Sequence, residues 1–134
     1  MKKLLLTVVA VAATATFLTP AEAQRPRPVR EALLGCKAVG FISDRDVIRF
    51  ARREGPFRAI QLRVQQNDIK MQDLKVVYGN GQIEDLAVRT DIARGGTTRW
   101  IDLRGDRRFL SEVRMQYASR PSFRGLARVC VYAR

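Results

Sequence analysis

The chain is 134 residues long and sets 25 Lys plus Arg against 13 Asp plus Glu, a net charge of +12, with two cysteines and no histidine. The missing imidazole excludes Ser-His-Asp and Cys-His catalysis and removes the commonest metal ligand. Such a length suits one compact domain with its own core, and the cationic surplus favours anionic partners.

Met1 to Ala23 reads as an export signal. Lys2 and Lys3 form a basic start, Leu4 to Leu18 is apolar apart from Thr7, Thr14 and Thr16, and Ala21-Glu22-Ala23 supplies an A-x-A cleavage site. The apolar run falls short of the roughly 18 to 20 residues that span a bilayer. Cleavage after Ala23 leaves 111 residues with 23 cations and 12 acids, a net +11, and places them in the periplasm or outside the cell. Three of those cations are lysines, Lys37, Lys70 and Lys75, and the rest are arginines, whose planar fork binds carboxylate and phosphate oxygens in pairs. In an oxidising compartment Cys36 and Cys130 are expected to form a disulfide joining the two ends of the domain. Leu33-Leu34-Gly35-Cys36 imitates a lipobox, but Arg25 to Glu31 separates it from the apolar run, and lipidation would leave Cys130 unpaired.

Residues 24–32, which alternate arginine with proline at their start, are expected to be an extended lead-in. Residues 33–134 then read as short strands. Leu33 to Ile42 is the first, with Val39 and Phe41 on one face and Cys36 on the other. Ser43 to Glu54 has a helical alternative, capped at Ser43 and stopped at Gly55-Pro56, but Val47-Ile48-Arg49-Phe50 is β-branched and aromatic and favours strand. Phe57 to Gln65 alternates, Ile60, Leu62 and Val64 against Gln61, Arg63 and Gln65. Leu74 to Val88 reads as a hairpin, its arms meeting in a type I′ turn at Asn80-Gly81. Further strands are expected at Arg99 to Leu103, Phe109 to Tyr117 and Leu126 to Tyr132. The fold class predicted is all-β, an antiparallel β-sandwich or jelly roll of about eight short strands. If Val39, Phe41, Val129 and Val131 face the core, both cysteines leave by the outer faces, so their bond requires the first and last strands to be neighbours.

Leu33-Leu34-Gly35, Ile60 to Val64, Leu74 to Tyr78, Gly96 to Leu103 and Val113 to Tyr117 together resemble the small exported bacterial YaaI-like family. The resemblance covers nearly the whole chain after the signal. It implies an exported all-β domain of unknown function and brings no catalytic residues.

The residues themselves offer few routes to catalysis. Glu84 with Asp85, Asp102 with Asp106, or Asp44 with Asp46 are the carboxylate pairs that a glycan hydrolase would use. The same acids serve equally to solvate strand ends, and Asp44 with Asp46 lacks the further oxygens of a calcium loop. Gly79 and Gly81 precede no helix, so they form no phosphate loop. Arg104-Gly105-Asp106 spells an integrin-recognition tripeptide, a match too short to carry weight. Arg104, Arg107 and Arg108 share one expected loop, close in sequence to Arg99 and Trp100, while Arg52-Arg53 and Arg120 with Arg124 are further pairs placed to share an end of the sandwich. The expected binding residues are therefore Arg99, Trp100, Arg104, Arg107, Arg108, Arg120 and Arg124. The expected function is non-enzymatic binding of an anionic envelope or extracellular polymer, without cofactor or metal. A protein-interaction or inhibitor module and a carboxylate-based glycan hydrolase are the alternatives.

Overall fold

The computed structural model describes residues 7–16, 30–122 and 125–134, and for 51–53 the backbone alone. The expected cleavage site after Ala23 therefore lies outside the described residues, as does Arg124. Among the described residues no helix is long and apolar enough to cross a membrane.

Among the described residues nine strands form two antiparallel sheets: β1 Ala32–Val39, β2 Asp44–Phe57, β3 Ala59–Gln65, β4 Ile69–Tyr78, β5 Ile83–Asp85, β6 Thr90–Ile92, β7 Ile101–Asp102, β8 Arg108–Ser119 and β9 Ala127–Ala133. One sheet has the order β1-β9-β3-β7; the other runs β2-β8-β4, with β5 and β6 both on the outer edge of β4. The predicted β-sandwich is what forms. Its core comes from the inward parity of each strand: Ile60, Leu62 and Val64 from β3, Leu74, Val76 and Tyr78 from β4, Val113, Met115 and Tyr117 from β8, and Val129 and Val131 from β9. Alternation of this kind is what the side-chain period of two demands of a sheet with one face covered.

The cysteines behave as parity requires. Cys36 stands directly opposite Cys130 across the β1–β9 ladder, and the two are joined with their Cα atoms 4.1 Å apart. That spacing belongs to a non-hydrogen-bonded antiparallel pair, the closest approach that two strands offer. The bond lies on the outer face, since Val129 and Val131 on either side of Cys130 are fully buried.

Several local expectations are corrected. Phe41 is not a core residue: β1 ends at Val39, so Phe41 falls in the following loop and is 40% exposed. Residues 44–57 form one strand, as the β-branched run favours, but Gly55-Pro56 does not end it. A cis peptide bond and a φ of +132° at Gly55 carry the chain through, beside a shift in the β2–β8 register. A Cβ there would meet the Arg108 carbonyl at 2.8 Å, so only glycine fits. The strand expected over 99–103 shortens to Ile101–Asp102.

The hairpin also differs from the expected two-residue turn. Tyr78 N–H donates to the Gln82 carbonyl (2.8 Å) and Gly81 N–H to the Tyr78 carbonyl (2.9 Å), and of the loop residues only Gly81 has positive φ. This is a three-residue loop, a turn closed by a left-handed glycine, and it needs positive φ at one position where a type I′ turn needs two. The Asn80 carboxamide oxygen accepts the Gln82 N–H at 3.0 Å and steadies the loop.

At the opposite end buried Asn67 clasps two loops. Its Nδ2 donates to the carbonyls of Arg120 (2.6 Å) and Gly125 (3.0 Å), and its Oδ1 accepts the Asp68 N–H (2.8 Å).

Burial pushes the Tyr78 phenol up to about 12, helped by its bond to Glu84, and raises Tyr117 further, helped by its bond to Asp46. In both cases the fold holds a proton that the unfolded chain releases near pH 10. Stability is then intact below that pH and declines as pH climbs from about 10 toward 12, by at most about 1.4 kcal/mol per pH unit for each ring. A Tyr132→Phe variant keeps only these two tyrosines. Its phenolate absorbance is expected to stay flat through pH 10 and to rise with loss of the β circular-dichroism signal; a rise near pH 10 in the folded protein would contradict this.

Candidate functional site

The hairpin between β4 and β5, the loop between β7 and β8 and the junction of β2 with β3 meet at one end of the sandwich. Leu103 N–H donates to the Arg58 carbonyl (2.8 Å) and Gly79 N–H to the Phe109 carbonyl (2.8 Å), so backbone bonds fix these segments to one another.

On that frame the arginines are held by specific contacts. Glu84, 9% exposed, is the buried anchor: its Oε1 accepts the Tyr78 hydroxyl (3.0 Å) and the Arg104 N–H (3.2 Å), and its Oε2 lies 3.2 Å from Arg104 Nε. Arg104 itself remains largely in solvent. The Arg108 guanidinium stacks on the Tyr78 ring, 3.8 Å from its centroid, and donates to the Arg104 carbonyl and to Gln82 Oε1, each at 3.0 Å. A cation stacked on an aromatic face in this way loses rotational freedom but keeps its charge. Arg58 reaches across to Asp106, with Nε 3.6 Å from the carboxylate. Arg107 is exposed, and among the described residues its side chain makes no ion pair or hydrogen bond. It shares with Tyr78, Gly79, Asn80, Arg108 and Phe109 the lining of a shallow cavity of about 170 Å³. Four guanidinium groups, from Arg58, Arg104, Arg107 and Arg108, thus share one end with two carboxylates, Asp106 paired with Arg58 and Glu84 with Arg104.

Trp100 is half-buried on the outer face of the β1-β9-β3-β7 sheet, with the Arg134 guanidinium 4.4 Å over its ring. Arg134 belongs to the same end, since its carbonyl accepts the Arg58 N–H at 2.6 Å.

The other expected residues do not join this cluster. Arg120 follows Ser119 at the far end of the 12-residue β8, roughly 40 Å from Arg108 at about 3.3 Å per residue. Sharing one end is therefore ruled out for Arg120 with Arg104, Arg107 and Arg108. Arg99 lines a different groove, of about 440 Å³, with Arg89, Asp91 and Thr97. That groove carries two cations and one acid, Asp91. Arg52 and Arg53 lie within β2, and their side chains are outside the described residues.

The carboxylate pairs differ: Asp44 and Asp46 share the inward face of β2 and both act on the Tyr117 hydroxyl, whereas the first pair is split. Glu84 and Asp85 point to opposite faces of β5. Asp44 accepts the Gly40 N–H (3.1 Å) and Asp46 the Tyr117 hydroxyl (2.8 Å). Asp106 is engaged with Arg58 and Arg104 with Glu84, so both charged arms of the Arg-Gly-Asp tripeptide have partners within the chain. Among the described residues no group of three or more acidic or cysteine side chains is placed to hold a metal ion.

Sequence reading missed Tyr78, Gln82, Glu84, Arg58 and Arg134 as parts of the site. A signal for Glu84 existed: Leu86 and Val88 face the core, and a period of two carries that face back to Glu84.

Fold and site define a two-sheet β-sandwich with a guanidinium-rich end organised by a buried glutamate and tyrosine. The chain belongs to the family described as domain of unknown function (DUF2541), whose model matches residues 4–133. No curated protein and no solved structure matches it.

Proposed function

We propose that this is an exported, non-enzymatic binding module that takes an anionic envelope or extracellular polymer at its Arg104–Arg108 end. The observation that carries this reading is the convergence of Arg58, Arg104, Arg107 and Arg108, with Arg104 and Arg108 held by Glu84, Tyr78 and Gln82. Positioned guanidinium groups bind phosphate, sulfate or carboxylate oxygens with less ordering cost than free ones. The signal-like Met1 to Ala23 and the Cys36–Cys130 disulfide support export, to the periplasm or beyond. The resemblance to small exported YaaI-like proteins belongs with the same reading.

The test is retention on a phosphorylated or sulfated polymer as a function of salt. Retention is expected to fall steeply with ionic strength, as counterion release requires. Arg104→Gln with Arg107→Gln is expected to weaken binding about tenfold or more and to reduce the slope of log affinity against log salt by roughly one per lost contact. Arg99→Gln serves as the control and should leave retention close to the parent's. Salt-independent retention, or equal losses from both variants, would remove the proposal.

A further inference from the structure

The end of the sandwich away from Arg104 has a different character. Among the described residues its loops carry three exposed apolar side chains: Ile42 is 84% exposed, Leu126 42% and Phe41 40%. All three lie at the end where the β1–β9 ladder closes on the pair Val39–Ala127, Phe41 and Ile42 shortly after it on one strand and Leu126 directly before it on the other. The tips are also fixed in place. Ser119 N–H and Oγ both donate to the Gly40 carbonyl (2.9 and 3.1 Å), and Asn67 holds the Arg120 and Gly125 carbonyls.

Around these tips stand Arg120, directly after β8, and the second residues of two strands, Arg45 of β2 and Arg128 of β9. Arg45 lies on the outer face of one sheet and Arg128 on the outer face of the other, so cations flank the apolar tip on both sides. Among the described residues the side chains of Arg45, Arg120 and Arg128 make no ion pair or hydrogen bond, unlike Arg58, Arg104 and Arg108 at the other end. The nearby carboxylates keep their charge but are held by other groups: Asp44 by the Gly40 N–H, Asp46 by the Tyr117 hydroxyl, Asp68 by the Arg94 N–H, and Asp73, which shares a groove with Arg45, by Lys75.

We propose that this end docks on an anionic lipid bilayer, with Phe41, Ile42 and Leu126 entering the interface and Arg45, Arg120 and Arg128 lying at the headgroup phosphates. Charge complementarity selects this occupant. A ring of unpaired guanidinium groups around an apolar tip matches the layered chemistry of a membrane surface, anionic outside and hydrocarbon within. Each cation close to such a surface strengthens binding about fivefold. The proposal stands independently of polymer binding at the Arg104 end, and together they would let one domain bridge membrane and polymer.

The experiment is cosedimentation of the protein, purified from its native compartment, with vesicles of phosphatidylglycerol and phosphatidylcholine, compared with phosphatidylcholine alone. Binding to the anionic vesicles is expected, with a tenfold or greater loss for Phe41→Ser with Ile42→Ser. Arg120→Gln with Arg128→Gln should lower binding to the anionic vesicles alone, and Arg104→Gln with Arg107→Gln should leave it within about twofold. Phe41 and Ile42 are exposed, so their circular dichroism and melting midpoint serve as folding controls, and Ile42→Ser alone decides if the double variant melts early. Absence of binding, binding indifferent to Ile42, or a loss that follows Arg104 and Arg107 would overturn the proposal.

Discussion

Replacing Cys36 and Cys130 together by alanine is expected to lower the unfolding free energy by about 4 to 5 kcal/mol in the chain-entropy account of cross-links. The two cysteines are 94 residues apart, so the bond closes a loop containing almost all of the folded domain. Without it the unfolded ensemble gains most of the freedom that a chain of this length can gain. Domains of this size hold a net stability of about 5 to 15 kcal/mol, so the loss is a large fraction of the whole. Alanine is the suitable replacement because Cys130 is 4% exposed and a serine hydroxyl there would be buried. Urea denaturation of the two proteins measures the difference, and a loss below about 1 kcal/mol would show that the clasp does not constrain the unfolded chain.

Tyr78→Ala is expected to cost about 3 to 5 kcal/mol and to disorganise the arginine end at the same time. The ring is 2% exposed, packs in the core, supports the Arg108 guanidinium and donates its hydroxyl to Glu84. Its loss opens a cavity, removes the platform under Arg108 and takes one donor from a buried carboxylate. Tyr78→Phe separates these effects. It keeps the ring and the stacking but deletes the hydrogen bond to a charged acceptor, for an expected cost of about 1.5 to 3 kcal/mol. Polymer binding at a salt concentration where both variants are folded should fall for Tyr78→Ala and persist for Tyr78→Phe. Equal binding by the parent and Tyr78→Ala would mean that Arg108 needs no support from the ring.

Much of the fold was legible because a sandwich writes its burial pattern with a period of two. Ile60, Leu62 and Val64 announced the inner face of β3, and parity at Val129 and Val131 placed Cys130 outside and demanded that β1 and β9 adjoin. Less legible was whatever depends on where a strand stops. Gly55-Pro56 normally breaks a strand, yet an unusual glycine conformation and a register shift let β2 continue. Phe41 belonged to the apolar pattern of β1, but the strand ended two residues earlier.

The site was legible only as a loop composition. Arg104, Arg107 and Arg108 were identified because they are close in sequence. Arg58 and Arg134 join them through pairings between distant strands, which local patterns do not encode. Arg120 was set beside them because loops at either end of a strand look alike in sequence, and β8 is long enough to hold the two ends far apart. Arginine-rich composition indicated an anionic partner; only the topology sorts the arginines between the two ends, with Arg58, Arg104 and Arg108 held at one and Arg45, Arg120 and Arg128 unpaired, among the described residues, at the other.

The Arg104–Arg108 end is where an anionic polymer is expected to bind. Titrating isotopically labelled protein with a short sulfated or phosphorylated oligomer, and following backbone amide shifts, addresses this directly. The expected result is that the largest changes fall at residues 79–82 and 103–109 and at Arg58. Shifts concentrated in the groove of residues 87–99, or spread evenly over all exposed arginines, would contradict it.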